Sequence, residues 1–149
     1  MRAGAERVAL VTGCGKRDGM GRAISRMLAR SGAAVVVSDK EPAGVLNRRQ
    51  EKVGVSDAAG WRGVGSLVDE ITADGGTASA VLGDIGDADD AQRMVGEAVA
   101  RYGRLDILVN NAAAPQGLDR SDIAEVPIDV WDEVVRVNLR GTFLMSRFA

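Results

Sequence analysis

The sequence predicts an α/β protein: a doubly wound parallel sheet with helices on both faces, three α/β/α layers in all. Two observations predict it. Short apolar runs alternate with stretches of helical period along the chain, and such alternation implies right-handed crossovers between parallel strands. Residues 33–37 are apolar at every position, which suits a strand covered on both faces. A chain of 149 residues is long enough for one domain with a core and too short for two.

The elements follow in order. Residues 7–11 read as a short buried strand, with a glycine cluster after it. From Met20, apolar residues at Ala23, Ile24, Met27 and Leu28 mark one helix face, and Gly32 ends that helix. Residues 33–38 form the second strand. Residues 41–60 hold Pro42, Gly44, Gly54 and Gly60, show no period, and read as an inserted loop. A modest helix over 65–73 closes at Gly75 and Gly76, and residues 77–82 form the third strand. Asp87 is placed to cap the next helix, its carboxylate accepting from free backbone N–H groups. That helix has apolar residues at 91, 94, 95, 98, 99 and 102 and ends at Gly103. Residues 105–109 form the fourth strand, and a last helix runs from near Ile128 to the end. There is no internal repeat or interdomain linker.

Composition narrows the chemistry. Hydrophobic residues are 46% and charged residues 27%, the balance of a soluble globular protein. A net charge of −2 provides no basic footprint for nucleic acid. The cluster Arg48-Arg49-Gln50-Glu51-Lys52 contains an acid and reads as a solvated loop. Histidine is absent, which removes Ser-His-Asp and Cys-His catalysis and histidine metal sites, so no metal centre is expected. Cys14 is the single cysteine, which excludes an internal disulfide and fits a reducing compartment. With no histidine beside it, it reads as a small loop residue and not a nucleophile. The first eleven residues lack a signal-peptide core, and no apolar run is long enough to cross a bilayer. The expectation is a cytoplasmic protein with no membrane contact.

The first turn carries the chemistry: Thr12-Gly13-Cys14-Gly15-Lys16-Arg17-Asp18-Gly19-Met20-Gly21 leaves a strand and enters a helix. Glycine lets a phosphate approach the main chain with no Cβ in the way. The helix start offers unpaired N–H groups and the positive end of a dipole, which suit a pyrophosphate. A merely structural turn is the bland alternative. Asp39 argues against it, standing at the end of the second strand twenty residues after Gly19. A dinucleotide fold places an acid there to accept the adenine ribose hydroxyls. A carboxylate would repel a 2′-phosphate, so Asp39 favours NAD over NADP; Lys16, Arg17 and Lys40 are the nearby cations that weigh the other way.

With Asn110-Asn111-Ala112-Ala113 at the end of the fourth strand, the sequence resembles the short-chain dehydrogenase/reductase family. Four features in order carry the resemblance: the Thr-Gly turn with Gly19-Met20-Gly21, then Asp39, then Asp84-Ile85, then Asn-Asn-Ala. The resemblance runs from about Arg7 to the end. It implies a Rossmann-type fold and an oxidoreductase that moves hydride between NAD(P) and a carbonyl or alcohol of small-molecule size. It also implies that Gly19, Met20 and Gly21 lie under the pyrophosphate, with Gly13 or Gly15 as the close-approach glycine. Asp84 and Ile85 would contact the adenine end, and Asn111, Ala112 and Ala113 would line the cofactor channel. Ala113 stands where the family's Asn-Asn-Ala-Gly motif has glycine. Asn138 falls on a helical stripe with Trp131, Val134, Val135 and Met145. A buried amide there needs a partner. By resemblance it is the helix asparagine that positions a water in the family's proton relay.

Three departures stand out. Counted from Gly13, the turn is two residues longer than the family's spacing; counted from Gly15, Gly-x-x-x-Gly-x-Gly is regular. The segment after Asp39 is about twenty residues longer than a typical connection. It resembles insertions in mycofactocin-linked members and in the reductase domains of peroxisomal multifunctional enzymes, and could cover the adenosine, reach a partner or be a tolerated surface loop. Finally, the sequence stops at Ala149 inside a helix, before the serine and Tyr-x-x-x-Lys that the family uses for catalysis. Tyr102 is followed by Gly103-Arg104-Leu105-Asp106, with no lysine four residues on. The expectation is therefore a domain truncated after the fourth strand and its following helix, inactive alone, with an open sheet edge. The full-length parent is expected to be a homo-oligomer. The competing readings are a non-catalytic dinucleotide-binding module, an inactive truncated product, or the epimerase-like extended branch, whose glycine spacing differs.

Overall fold

The computed structural model describes residues 7–46 and 60–149. Strands β1 (Val8–Thr12), β2 (Ala34–Asp39), β3 (Thr77–Leu82) and β4 (Ile107–Val109) form one sheet in the order β3-β2-β1-β4. Every pairing is parallel; Val8 stands opposite Ala34, Ala34 opposite Thr77, and Ala9 opposite Ile107. Helices α1 (Met20–Arg30), α2 (Val64–Ala73) and α3 (Ala88–Tyr102) make the crossovers. A last helical stretch has three parts: α4 (Ile128–Val134), a π-helical segment (Val135–Gly141) and α5 (Thr142–Phe148). The Rossmann-type doubly wound architecture is the one the alternation predicts.

The core lies on both faces of the sheet, as the unbroken apolar run of β2 requires. Leu10 and Val36 pack on one side with Met94, Val95, Leu144 and Met145. Val11, Val35 and Val37 pack on the other with Cys14, Leu67 and Ile71. Neighbouring residues of one strand thus serve opposite layers.

Helix ends follow the sequence closely. The Asp87 carboxylate accepts from the N–H groups of Asp89 and Asp90, both at 3.0 Å. Gly103 takes the left-handed conformation with φ of 79° and closes α3 by donating its N–H to the Val99 carbonyl. Strand β4 begins at Ile107 instead of 105. Residues 104–106 serve its entry: Arg104 holds the Asp106 carboxylate, which accepts the Val8 N–H at 2.8 Å.

Two expected faces are corrected. In α1 the inward stripe is Gly21, Ile24, Ser25 and Leu28, while Ala23 and Met27 point outward, Met27 being 69% exposed. Small residues bring this helix against the glycine turn, and a Cβ at Gly21 would collide with the Gly13 carbonyl oxygen. Apolarity alone therefore misplaced the face. In the last helical stretch only Met145 of the expected stripe is buried; Trp131, Val135 and Asn138 are exposed. That stripe assumed a 3.6-residue period, which the π-helical segment at 135–141 interrupts.

Of the inserted loop, residues 41–46 and Gly60 are irregular backbone. Residues 47–59, with Gly54 and the cluster Arg48-Arg49-Gln50-Glu51-Lys52, lie outside the described residues. The two sides of this segment meet, the Val64 N–H donating to the Pro42 carbonyl at 2.8 Å. Among the described residues no helix is long and apolar enough to cross a membrane.

Candidate functional site

The chain doubles back at β1: the path leaves it toward β2 and β3 on one side and returns to β4 on the other. In open α/β sheets such a switch point opens a crevice at the carboxyl ends of the strands. A cavity of about 490 Å³ lies there, lined by the ends of β1, β2 and the residues that follow β3 and β4. Gly13, Gly19, Met20, Asp39, Asp84, Ile85, Asn111, Ala112 and Ala113 all reach its wall. Gly15, Gly21 and Asn138 are not among the lining residues.

The glycine turn forms one wall. Gly13 has φ of +73°, and a Cβ on it would stand 2.8 Å from the Ala112 Cα. Glycine is required there both by conformation and by the approach of the β4 end. Gly19 precedes α1 and provides no side-chain cap, leaving first-turn N–H groups for an anion. Gly13 and Gly15 differ in position. Gly13 faces the cavity; Gly15 packs against Ala43 and Gly44, where a Cβ would strike backbone.

Two side chains lock β1 to β4. The Thr12 hydroxyl accepts from the N–H groups of Asn111 and Ala112 at 3.1 and 3.0 Å and donates to the Val109 carbonyl at 3.2 Å. The Asn111 amide donates to the carbonyls of Thr12 and Gly13 at 2.9 and 3.1 Å. The Asn111 amide N–H groups are thus spent on the main chain of the turn, and the residue lines the cavity. Sequence reasoning missed Thr12; its signal is a hydroxyl at the last position of an otherwise apolar strand.

Asp39 ends β2 at the cavity wall. Its Oδ2 accepts the Gly15 N–H at 2.8 Å and its Oδ1 the Lys40 N–H at 2.8 Å. Burial pushes this carboxyl above the usual carboxylate range, opposed by those backbone donors and by the Lys16 charge. The N–H groups of Gly15, Lys40 and Glu41 together orient the carboxylate.

Asp84 sits across from it in a charged cluster. Its Oδ2 pairs with Lys40 Nζ at 3.0 Å and Arg136 Nη2 at 2.9 Å, and its Oδ1 accepts the Gly86 N–H at 2.8 Å. Arg136 is shared with Glu133. Burial alone would raise the Asp84 carboxyl, but hydrogen bonds from Arg136 and Lys40 outweigh it and hold it at about 2. Arg136 is raised in turn, first by Glu133 and then by Asp84. Lys40 and Arg136 come from distant parts of the chain, and no local pattern joins them to Asp84; Glu133 stands one helical turn before Arg136. Ile85 is buried against Gly141.

Asn138 is exposed, so the expected buried amide is corrected; its Oδ1 accepts the Ala114 N–H at 2.8 Å and ties the last helix to the loop after β4. The Cys14 thiol is buried, which pushes it up to about 11. Among the described residues no group of three His, Cys, Asp or Glu is placed to hold a metal ion.

Comparison with known proteins gives the same picture. The short chain dehydrogenase family model matches residues 61–149. Dehydrogenase/reductase SDR family member 4 from Bos taurus is 36% identical over 95% of this chain and 42% of its own length. Versicolorin reductase from Emericella nidulans is 36% identical over 96% of this chain and 46% of its own. A short chain dehydrogenase from Mycobacterium avium superposes with a TM-score of 0.77 at 38% identity, over 96% of this chain and 44% of that one. The chain therefore spans less than half the length of these relatives. On the family match, the identities and the shared sheet together, it belongs to the short-chain dehydrogenase/reductase family.

Proposed function

We propose that the cleft binds NAD and that the protein transfers hydride between NAD and a small carbonyl or alcohol. The observation that carries this is Asp39: a carboxylate oriented by backbone donors at the wall of the cavity, at the end of β2. The residues fit the cofactor in two further respects. The Gly13 position has no room for a Cβ, and the uncapped start of α1 adjoins the same wall. NAD, when bound, supplies the hydride chemistry; the protein binds and orients it.

In this reading Gly13, Gly19, Met20 and Gly21 shape the pyrophosphate wall, with Gly21 acting by admitting α1 close to the turn. Asp39 holds the adenine ribose, and its charge disfavours a 2′-phosphate, so NADP is the weaker ligand. Asp84 and Ile85 flank the adenine, and Asn111, Ala112 and Ala113 line the channel toward the nicotinamide. Asn138 positions the loop after β4. One observation favours a narrower role for these 149 residues, binding without turnover. Tyr102, the only tyrosine, ends α3 and packs into the core instead of lining the cavity. In that narrower reading these residues form a dinucleotide-binding module.

Titration calorimetry with NAD and NADP tests the reading. NAD should bind more tightly, and Asp39→Ala should weaken NAD about tenfold or more, through loss of charge-assisted hydrogen bonds, while affecting NADP less. An equal loss for both cofactors removes the ribose assignment.

A further inference from the structure

The longer glycine turn and the inserted segment are two departures from the family's spacing, and the structure brings them into contact. The residues flanking the insertion return to the turn at several points. The Trp61 indole N–H donates to the Gly15 carbonyl at 2.7 Å. A Cβ on Gly15 would strike the backbone of Ala43 and Gly44, so the near side of the segment is also seated on that glycine. Arg22 stacks its guanidinium over the Trp61 ring, 5.5 Å from the centroid, and donates to the Arg17 carbonyl at 3.2 Å. Glu70 of α2 holds Arg22 in place with two bonds of 2.9 and 2.8 Å. Two carbonyls within the lengthened turn, those of Gly15 and Arg17, are thus held by two stacked side chains.

Gly15 is where this matters to the site. Its N–H donates to Asp39 Oδ2 at 2.8 Å, and its carbonyl accepts from Trp61. Glycine has the widest backbone freedom of any residue, so without an external partner the peptide groups on either side of Gly15 would not stay in register with the carboxylate. We propose that Trp61 is a positioning residue for the dinucleotide: it fixes Gly15, and through Gly15 it fixes the Asp39 carboxylate that receives the ribose. Ala43, Gly44 and Trp61, at the two ends of the insertion, are then a brace for the longer turn. This rests on the reading of the cleft as an NAD site.

The substitution Trp61→Phe keeps a ring beneath Arg22 and removes only the N–H. Calorimetry should show NAD affinity falling about two- to tenfold, the range of one net hydrogen bond, with a smaller change for NADP. Amide hydrogen exchange at Gly15 should quicken in the variant without any cofactor present, which reads the brace directly. In an Asp39→Ala background the same substitution should change NAD affinity by less than about twofold, because the path ends on that carboxylate. In the unaltered protein, NAD should slow exchange of the Trp61 indole N–H, with exposed Trp131 as the internal reference; this measurement needs no variant to fold.

Unchanged NAD affinity and unchanged Gly15 exchange in Trp61→Phe would overturn the proposal. So would losses from Trp61→Phe and Asp39→Ala that add in full, since a merely structural tryptophan would act independently of the carboxylate. If the unaltered protein binds no NAD, the cofactor reading falls and the positioning role falls with it. If it binds NAD and the variant binds equally well, only the positioning role is lost.

Discussion

Leu10 and Leu139 are the same residue type in opposite surroundings. Leu10 lies in β1, fully buried, with a paired strand on each side and a core layer on each face. Leu139 lies in the π-helical segment and is 69% exposed, in company with Trp131 and Phe143. The last helical stretch docks mainly through Leu144 and Met145, which reach the α3 side of the core. Strands β1 and β2 thus lie at the centre of the core, while the last helical stretch docks on one side of it, with polar ties at Asp84 and Ala114. Apolar composition reports neither state; position in the sheet does.

That contrast can be broken most sharply by the same substitution at both sites. Leu10→Ala should lower unfolding free energy by about 2–5 kcal/mol, because neighbours in a packed sheet close a cavity only partly. Urea midpoints measure it, and a loss under about 1 kcal/mol would mean the β1 layer is loosely packed. Gly13→Ala comes next, at about 2 kcal/mol, combining a left-handed backbone with the crowding at Ala112. Its loss should appear in both stability and NAD binding, since the turn serves both.

Asp84→Asn sharpens the comparison on that docked side, because Arg136 reaches Asp84 from the last helical stretch. The expected loss is about 1 kcal/mol for a partly exposed pair. Its pH dependence follows from the low carboxyl value. The folded group titrates near 2, below the ordinary unfolded value, which is about 4. Its stabilisation is therefore complete above about pH 4 and fades as pH falls toward 2. The gap between wild type and Asp84→Asn should narrow between pH 6 and pH 2.5 in urea titrations; a gap independent of pH would remove the ion pair as its cause. Leu139→Ala should change stability least, by under about 0.5 kcal/mol. A core-sized loss there would show that the last helix is covered in solution.

The sequence is most legible where local chemistry decides. Four parallel strands follow from alternation, the α3 ends follow from Asp87 and Gly103, and Asp39 ends β2 on the cavity wall. Legibility ends where distant residues meet. The clamp on Asp84 draws on Lys40 and Arg136, which no period relates. The inner face of α1 is set by how near the helix comes to the turn, so Gly21 and Ser25 displaced the larger apolar residues. Asn138 is exposed where an unbroken helical period would bury it, because a π-helical segment interrupts that period, and its bond to Ala114 gives it a partner. Trp61 stands at the end of an aperiodic stretch, and nothing local marks its reach back to Gly15.

The bond between Val64 and Pro42 has a mechanical consequence. It draws the two stems of the segment together, and Gly63, with φ of +67°, admits no Cβ against the Pro42 carbonyl. A closed neck isolates the sheet from the length of chain beyond it. Doubling a flexible loop adds only about 0.6 kcal/mol of closure entropy. Evolution, or a protein engineer, can therefore add sequence between these two stems while the sheet keeps its register.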